Sequence, residues 1–297
     1  MSIALRKFRT QPLKYVGRFC LYLILMAGAI SFALPFIWMV RTSIMPPWQV
    51  YTVPPEWIPE YIEWKNWATP WQMFPSVQGI PAFGRFFINT AVLAVLSVTG
   101  TVLSTSIAAY AFARLRFRGR GALFLLLLST MMLPFQVTLI PTYLLYSRFP
   151  VWKPWIDTLK PLVVPHFLSA SAYNVFLLRQ FMMTIPLEYD EAARIDGASL
   201  FGIYRRIIMP LSAPALGVIA IQHFTWAWGD FMGPLIYLKK YEHYTLSIGL
   251  RLFQSSLETA TEALMAATIM SMIPTLILFF VAQRYFIQGI VITGVKG

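Results

Sequence analysis

The sequence predicts an all-α polytopic membrane protein with six transmembrane helices, and three observations carry that expectation. Only 12% of the 297 residues are charged while 58% are hydrophobic, against about 25% charged in soluble domains. So little charge cannot cover the two water-soluble domains that this length would otherwise make. The apolar residues also cluster: Phe19 to Val40, Phe87 to Phe112 and Leu123 to Leu145 each hold one charge or none. A hydrocarbon core about 30 Å thick takes about 20 helical residues to cross. Third, the basic residues gather on one side of the spans this pattern defines. The composition excludes a soluble enzyme, a disordered tail and a disulfide scaffold. Cys20 is the single cysteine; it can form no internal disulfide, and its apolar run predicts burial.

Residues 1–18 read as a basic N-terminal tail and 19–40 as the first span. A signal peptide is the competing reading, but this apolar stretch of 22 residues exceeds the roughly 7–15 of a signal-peptide core. Segment 41–86 carries eight prolines and five tryptophans. Proline at that density prevents a long helix, and tryptophan favours the membrane–water boundary. It is expected to lie outside, irregular, on the bilayer surface. A core at 87–283 then holds spans near 87–112, 122–146, 161–183, 212–237 and 264–283, followed by a tail at 284–297.

With both termini cytoplasmic, the inner segments hold 15 of the 24 basic residues but only 4 of the 12 acids. This is the positive-inside bias. The formal charge of +12 is therefore a topology signal, and nucleic acid is not an expected partner.

In the second span, Ser97, Thr101, Ser104 and Ala108 share one helix face. Such small and hydroxyl side chains suit close helix packing, or a pore-lining face. Pro134 removes a backbone bond from the third span and predicts a bend there. The inner loop 184–211 differs from every other inner segment because it mixes acids and bases. Pro186 followed by Glu188, Asp190 and Glu191 marks a helix start. The pattern predicts a short helix over 187–193, a break at Gly197, and an apolar face resuming at Phe201, Tyr204, Ile207 and Ile208. The expected product is a surface helix–turn–helix with its charges outward.

Glu191-Ala192-Ala193, Gly197, Ile207, Met209 and Pro210 together resemble the EAA loop of binding-protein-dependent ABC transporter permeases. That family's pattern is EAA, three residues, G, nine residues, I, one residue, L-P. Every spacing matches, and Met209 stands in place of leucine. Asn89-Thr90, 109–115, Pro234-Leu235-Ile236, Tyr244-Thr245-Leu246, 283–289 and the final 294–297 extend the resemblance over nearly the whole chain. They are similar to carbohydrate-uptake permeases, in particular the maltose-permease G-type subunit. Gly229 departs from the Asn-Asp-Phe common in those relatives.

The resemblance implies a type I ABC importer permease fold in a bacterial or archaeal cell (inner) membrane. It implies a sugar or oligosaccharide as substrate, carried inward by alternating access. The partners implied are an ATP-binding ABC subunit dimer, a second permease subunit and an extracytoplasmic solute-binding protein. Glu191, Ala192, Ala193, Asp196, Gly197, Ile207, Met209 and Pro210 would form the coupling helix and its flank, docked on the ATPase. The tail after Arg284 would reach toward the ATPase interface. No catalytic residue, metal or cofactor is expected, since the chain lacks G-x-x-x-x-G-K-[ST], H-E-x-x-H and G-x-S-x-G.

Polar groups within spans are costly, so they mark candidate solute contacts. Asn174, Gln222, His223, Trp226 and Asp230 are those candidates; polar groups would take sugar hydroxyls and an indole face the sugar's CH surface. Interhelical hydrogen bonding explains the same residues. Other readings stay open: a permease for glycerol phosphate, polyamine or peptide, or an ion-coupled secondary transporter. The last would need buried acid or histidine relays, and only His166 and His223 lie in spans.

Overall fold

The computed structural model describes residues 11–148, 155–255 and 260–293. Among them the secondary structure is helical, apart from one isolated bridge between Val77 and Ile80. Four helices are long and apolar enough to cross a membrane, and two bent pairs bring the number to six if each is one span.

Helix α1 (Gln11–Ser43) starts within the segment expected to be a tail. Its side chains from Tyr15 through most of its length are exposed, Cys20 among them. The expected burial of Cys20 is therefore wrong: an apolar helix facing lipid satisfies the same composition as one facing a core. After α1 the chain is irregular, as proline density requires, apart from a four-residue turn at Pro47–Val50 and helix α2 (Lys65–Gln72). Asn66 Nδ2 donates to the carbonyls of Ser43 (3.2 Å) and Met45 (2.8 Å), pinning the segment back to the end of α1. Gln49, 1% exposed, donates to Glu56 and to the Ile58 carbonyl and accepts from the Glu60 amide.

Helix α3 (Ala82–Arg114) is the central rod. It packs against α6 (Lys160–Leu168), α7 (Ala172–Thr184) and α10 (Ala213–Gly229). Between α3 and α6 lie α4 (Arg120–Ser129), continued by a 3₁₀ turn at Thr130–Met132, and α5 (Phe135–Arg148). The α4 stretch and α5 meet at 99°, with the break at Leu133-Pro134 where the missing amide predicted one. The span expected at 161–183 corresponds to one candidate crossing, Lys160–Thr184, with a local interruption between α6 and α7. The two halves part at Ser169-Ala170-Ser171, a break with no proline or glycine of its own.

Helix α8 (Glu188–Ile195) leads to α9 (Leu200–Leu211), which meets α10 at 74°. The span expected at 212–237 also ends early, at Gly229. Asp230 then turns the chain, and its Oδ1 accepts from the Gly233 amide (3.2 Å) to cap α11 (Met232–Tyr237). Helices α12 (Leu246–Ser255) and α13 (Thr261–Thr293) complete the chain. The last runs ten residues past the expected end at 283, so most of the expected tail is helix. Residues 294–297 lie outside the described residues, as do the side chains from Arg284 onward.

The residues divide into two compact units. One comprises the chain up to Pro70 with Phe253–Met270, and the other Trp71–Leu252 with the chain from Ser271. Within the second unit, two segments quoted from the sequence meet. Asn89 Nδ2 donates to the carbonyls of Glu242 and Tyr244 (2.9 Å each), and Thr90 Oγ1 accepts from the Leu246 amide (2.9 Å).

Candidate functional site

The α8–α9 hairpin is built on a glycine. Gly197 has φ +80°, a left-handed conformation that costs most other residues about 1–2 kcal/mol. It closes α8 as a Schellman cap: the Ala198 amide donates to the Ala193 carbonyl (2.9 Å) and the Gly197 amide to that of Arg194 (3.0 Å). The Ser199 hydroxyl accepts from the Gly202 amide (3.1 Å) and so caps the start of α9. Both turns of the hairpin are therefore fixed locally.

Its underside is core. Ala193, Ile203 and Ile208 are buried in one cluster with Ala109 and Tyr110 of α3 and Val175, Leu178 and Met182 of α7. The apolar face differs from the expected one. Phe201 is 66% exposed, whereas Ile203 and Ile208 are fully buried. The reason is that Tyr204–Ile208 is a π-turn, which brings residues five apart into register. Glu191, Ala192 and Asp196 remain exposed, Met209 is half-buried and Pro210 exposed. Ala192, Ala193, Asp196 and Ile207 line a groove of about 420 Å³ on one side of α8.

The expectation that this loop turns its charges outward fails at Asp190. Its side chain is 5% exposed and pairs with Arg114 Nη1 at 3.7 Å. Arg114, read as one of the basic anchors, is itself buried, and its Nη2 donates to the carbonyls of Met182 and Ile185 (2.7 Å each). One guanidinium thus joins α3, the end of α7 and α8.

Nearer the middle of α3 is a second constellation. Asn174, Gln222, His223 and Trp226 line one cavity of about 400 Å³, together with Thr101, His166, Ser169, Ser171 and Tyr173. Asp230 is not in it; its carboxylate caps α11 instead. Thr101 Oγ1 lies 3.2 Å from His166 Nδ1 and 3.1 Å from His223 Nε2. A hydroxyl has one proton, so it donates to one imidazole and accepts from the other, which couples the two tautomers. The two imidazole centroids are 4.6 Å apart, and the Trp226 indole sits 5.3 Å from His223. Gly100 permits this approach: a Cβ there would stand 2.6 Å from the Phe167 ring and 3.0 Å from the His166 backbone. Ser104 Oγ donates to the His166 carbonyl (2.9 Å).

The Ser169–Ser171 break opens into this cavity, as irregular backbone within a membrane does where it lines a polar space. Beside it, sharing Tyr173, Gln222 and Trp226, is an apolar cavity of about 700 Å³ bounded by Leu177, Val218, Ile221 and Phe279. Sequence reasoning had His166 and Thr101 in hand without joining them. Their only signal was polarity inside a span, and the contact depends on how α6 crosses α3.

Broken, polar-lined helices around a central rod, with a capped hairpin at one end, define a transport protein of the permease class. Residues 100–292 match the model of the family described as "Binding-protein-dependent transport system inner membrane component", and the chain belongs to that family. It is a multi-pass membrane protein. It is 34% identical over 215 residues, 72% of this chain and 75% of the relative, to the arabinooligosaccharides transport system permease protein AraQ of Halalkalibacterium halodurans. It is 31% identical, over 92% of this chain and 95% of the relative, to the sn-glycerol-3-phosphate transport system permease protein UgpE of Yersinia enterocolitica. Its fold is similar to that in a crystal structure of a bacterial ABC transporter involved in the import of the acidic polysaccharide alginate. That likeness has a TM-score of 0.78 at 23% identity and covers 92% of this chain and 97% of that one.

Proposed function

We propose that this chain is one of two permease subunits of an ATP-driven importer, and that it carries a sugar or oligosaccharide inward by alternating access. Its partners in this reading are a dimer of ATP-hydrolysing subunits, a second permease chain and an extracytoplasmic solute-binding protein. Both termini lie on the cytoplasmic side, and the hairpin docks there on the ATPase. One observation carries the reading: the α8–α9 hairpin is capped at both turns and rooted in the core by Ala193, Ile203 and Ile208, yet presents Glu191 and Ala192 free. A rigid lever with an uncovered outer face is what a docked ATPase needs in order to tilt the attached spans.

The cavity at Thr101, His166 and His223 supports a neutral polyol as the solute. Hydroxyls, amides and an indole face suit a sugar's hydroxyl and CH surfaces. Among the described residues lining it there is neither Arg, Lys, Asp nor Glu. A phosphate ester would call for a guanidinium or ammonium, and a polyamine for carboxylates. The AraQ likeness supports a sugar too, while the UgpE likeness keeps glycerol phosphate as the second reading.

The test is Gly197→Trp beside Gly197→Asn. A Cβ at 197 meets nothing within 4 Å, but its left-handed φ strains a non-glycine residue, so the amount of each variant in the membrane is measured beside uptake, while the bulky group stands where the ATPase docks. Uptake of labelled arabino-oligosaccharide by cells holding the full transporter is lost in the Trp variant and largely kept in the Asn variant, since Asn tolerates the left-handed conformation. Equal uptake in the Trp variant contradicts the docking role. A cysteine at the exposed Ser199 stays unlabelled by impermeant maleimide outside intact cells; labelling there reverses the orientation.

A further inference from the structure

We infer that Ser106, Tyr110 and Arg114 form a three-rung polar ladder on α3 that transmits movement of the α8–α9 hairpin to the Thr101–His166–His223 cavity; this rests on the docking role proposed above. The three residues stand at i, i+4 and i+8, on one face of one helix. Each holds a different part of the hairpin. Ser106 Oγ donates to the Leu103 carbonyl (2.9 Å), so at 2.8 Å it accepts from the Tyr204 hydroxyl of the π-turn. Tyr110 OH donates to the Leu200 carbonyl at the start of α9 (3.1 Å). Arg114 pairs with Asp190 of α8 (3.7 Å).

The same helix carries the cavity's central hydroxyl. Thr101 lies five residues before Ser106, within uninterrupted helix. A helix of this length is stiff, so a displacement at its hairpin end appears at Gly100 and Thr101. There, α6 is close enough that any side chain at Gly100 would collide with Phe167. A movement of α3 therefore cannot leave the His166 contact unchanged.

The Arg114–Asp190 pair is not arranged for stability. Desolvating both charges offsets their attraction, and Arg114 Nε and Asp190 Oδ1 are buried without a partner. What the pair supplies is one fixed register between α3 and α8. Apolar packing at Ala109, Ala193 and Ile203 alone tolerates sliding, because dispersion and burial are non-directional. Ser106, Tyr110 and Arg114 are in this account positioning residues: they touch no solute and act through Thr101.

The test uses the complete transporter in proteoliposomes, with MgATP and vanadate as the probe, so the solute need not be known. Cys20→Ser removes this chain's single thiol, and Ser171→Cys, with label counted on this chain alone, reports from the cavity. In that parent, vanadate trapping changes the maleimide labelling rate at 171 by about fivefold or more, the lower range of allosteric couplings. Two variants are added to the parent: Tyr110→Phe, which deletes one hydroxyl, and Arg114→Met with Asp190→Leu, an apolar exchange that keeps a buried pair packed. The expected result is normal nucleotide trapping in both variants, with the labelling change reduced to below twofold in the double variant and partly in Tyr110→Phe. The thermal midpoint is unchanged in Tyr110→Phe and lower in the double variant, where the Met182 and Ile185 carbonyls lose their Arg114 donor. A full labelling change in both variants overturns the ladder while the docking role stands. No labelling change in the parent overturns the docking role itself. If the double variant does not assemble, Tyr110→Phe alone decides.

Discussion

The hairpin and the cavity hold their polar groups in opposite ways. The hairpin is local: its caps join residues within six positions of one another, and its few long-range bonds converge on a single helix face at Ser106, Tyr110 and Arg114. The cavity is assembled from α3, α6, α7 and α10, and its central contact joins Thr101, His166 and His223, which lie far apart in sequence. The hairpin buries an ion pair where its shape must be kept. The cavity leaves hydroxyl, amide and imidazole groups around space. In the proposed function the hairpin is a lever, which needs one register, and the cavity a passage, which needs groups that can exchange partners.

Breaking one partner of the ion pair is the harshest way to test that contrast. Asp190→Leu alone strands the Arg114 guanidinium in the core and should cost about 3–5 kcal/mol, read as a fall in the thermal midpoint of the purified transporter. Gly100→Leu comes next. It forces a side chain against Phe167 and His166, for an overpacking cost of about 1–3 kcal/mol, and it should close the cavity, so that uptake falls even where the protein is present in the membrane at normal level. Thr101→Val keeps the volume but removes the hydroxyl from both imidazoles. Leaving those groups unpaired costs about 1–3 kcal/mol, with reduced uptake as the measurement. If Thr101→Val transports normally, the cavity is packing and not passage.

The smallest effect lies at the end of the second unit away from the hairpin. Asp157 Oδ1 accepts from the amides of Lys240 (2.8 Å) and Lys239 (2.9 Å) and lies 3.2 Å from His243 Nδ1. Burial alone would raise this carboxyl, but the Lys240 and Lys239 amides and the His243 ring outweigh it and hold it below its usual 3.8. A depressed carboxyl stabilises the fold above its unfolded-state value and loses that contribution as pH falls through the folded one. The thermal midpoint of the native chain should therefore exceed that of Asp157→Asn above about pH 4, with the gap closing below it. A gap that persists at pH 2 would remove Asp157 as its cause.

The same contrast explains what could be read beforehand. The turn at Gly197 was legible because a capped hairpin writes its requirements at fixed local spacing, and Pro134 announced its break through a missing amide. Asn174, Gln222, His223 and Trp226 were legible one at a time, as polar groups in apolar runs. Their meeting with Thr101 and His166 was not, because it depends on two helices crossing at a glycine. The burial of Asp190 was hidden for the same reason, since its partner Arg114 sits on another helix among arginines that read as membrane anchors. Neither the π-turn at 204–208 nor the break at 169–171 contains a proline or glycine of its own; Gly202, Pro210 and Pro165 stand only nearby.

The account turns on the hairpin's uncovered face meeting a separate ATPase. The most direct measurement places a photo-crosslinking phenylalanine analogue at Ala192, exposed in the groove beside α8, in the assembled transporter. The account predicts one dominant adduct, with the ATP-hydrolysing subunit, identified by mass spectrometry. Adducts with lipid or the solute-binding protein, and none with the ATPase, would contradict it.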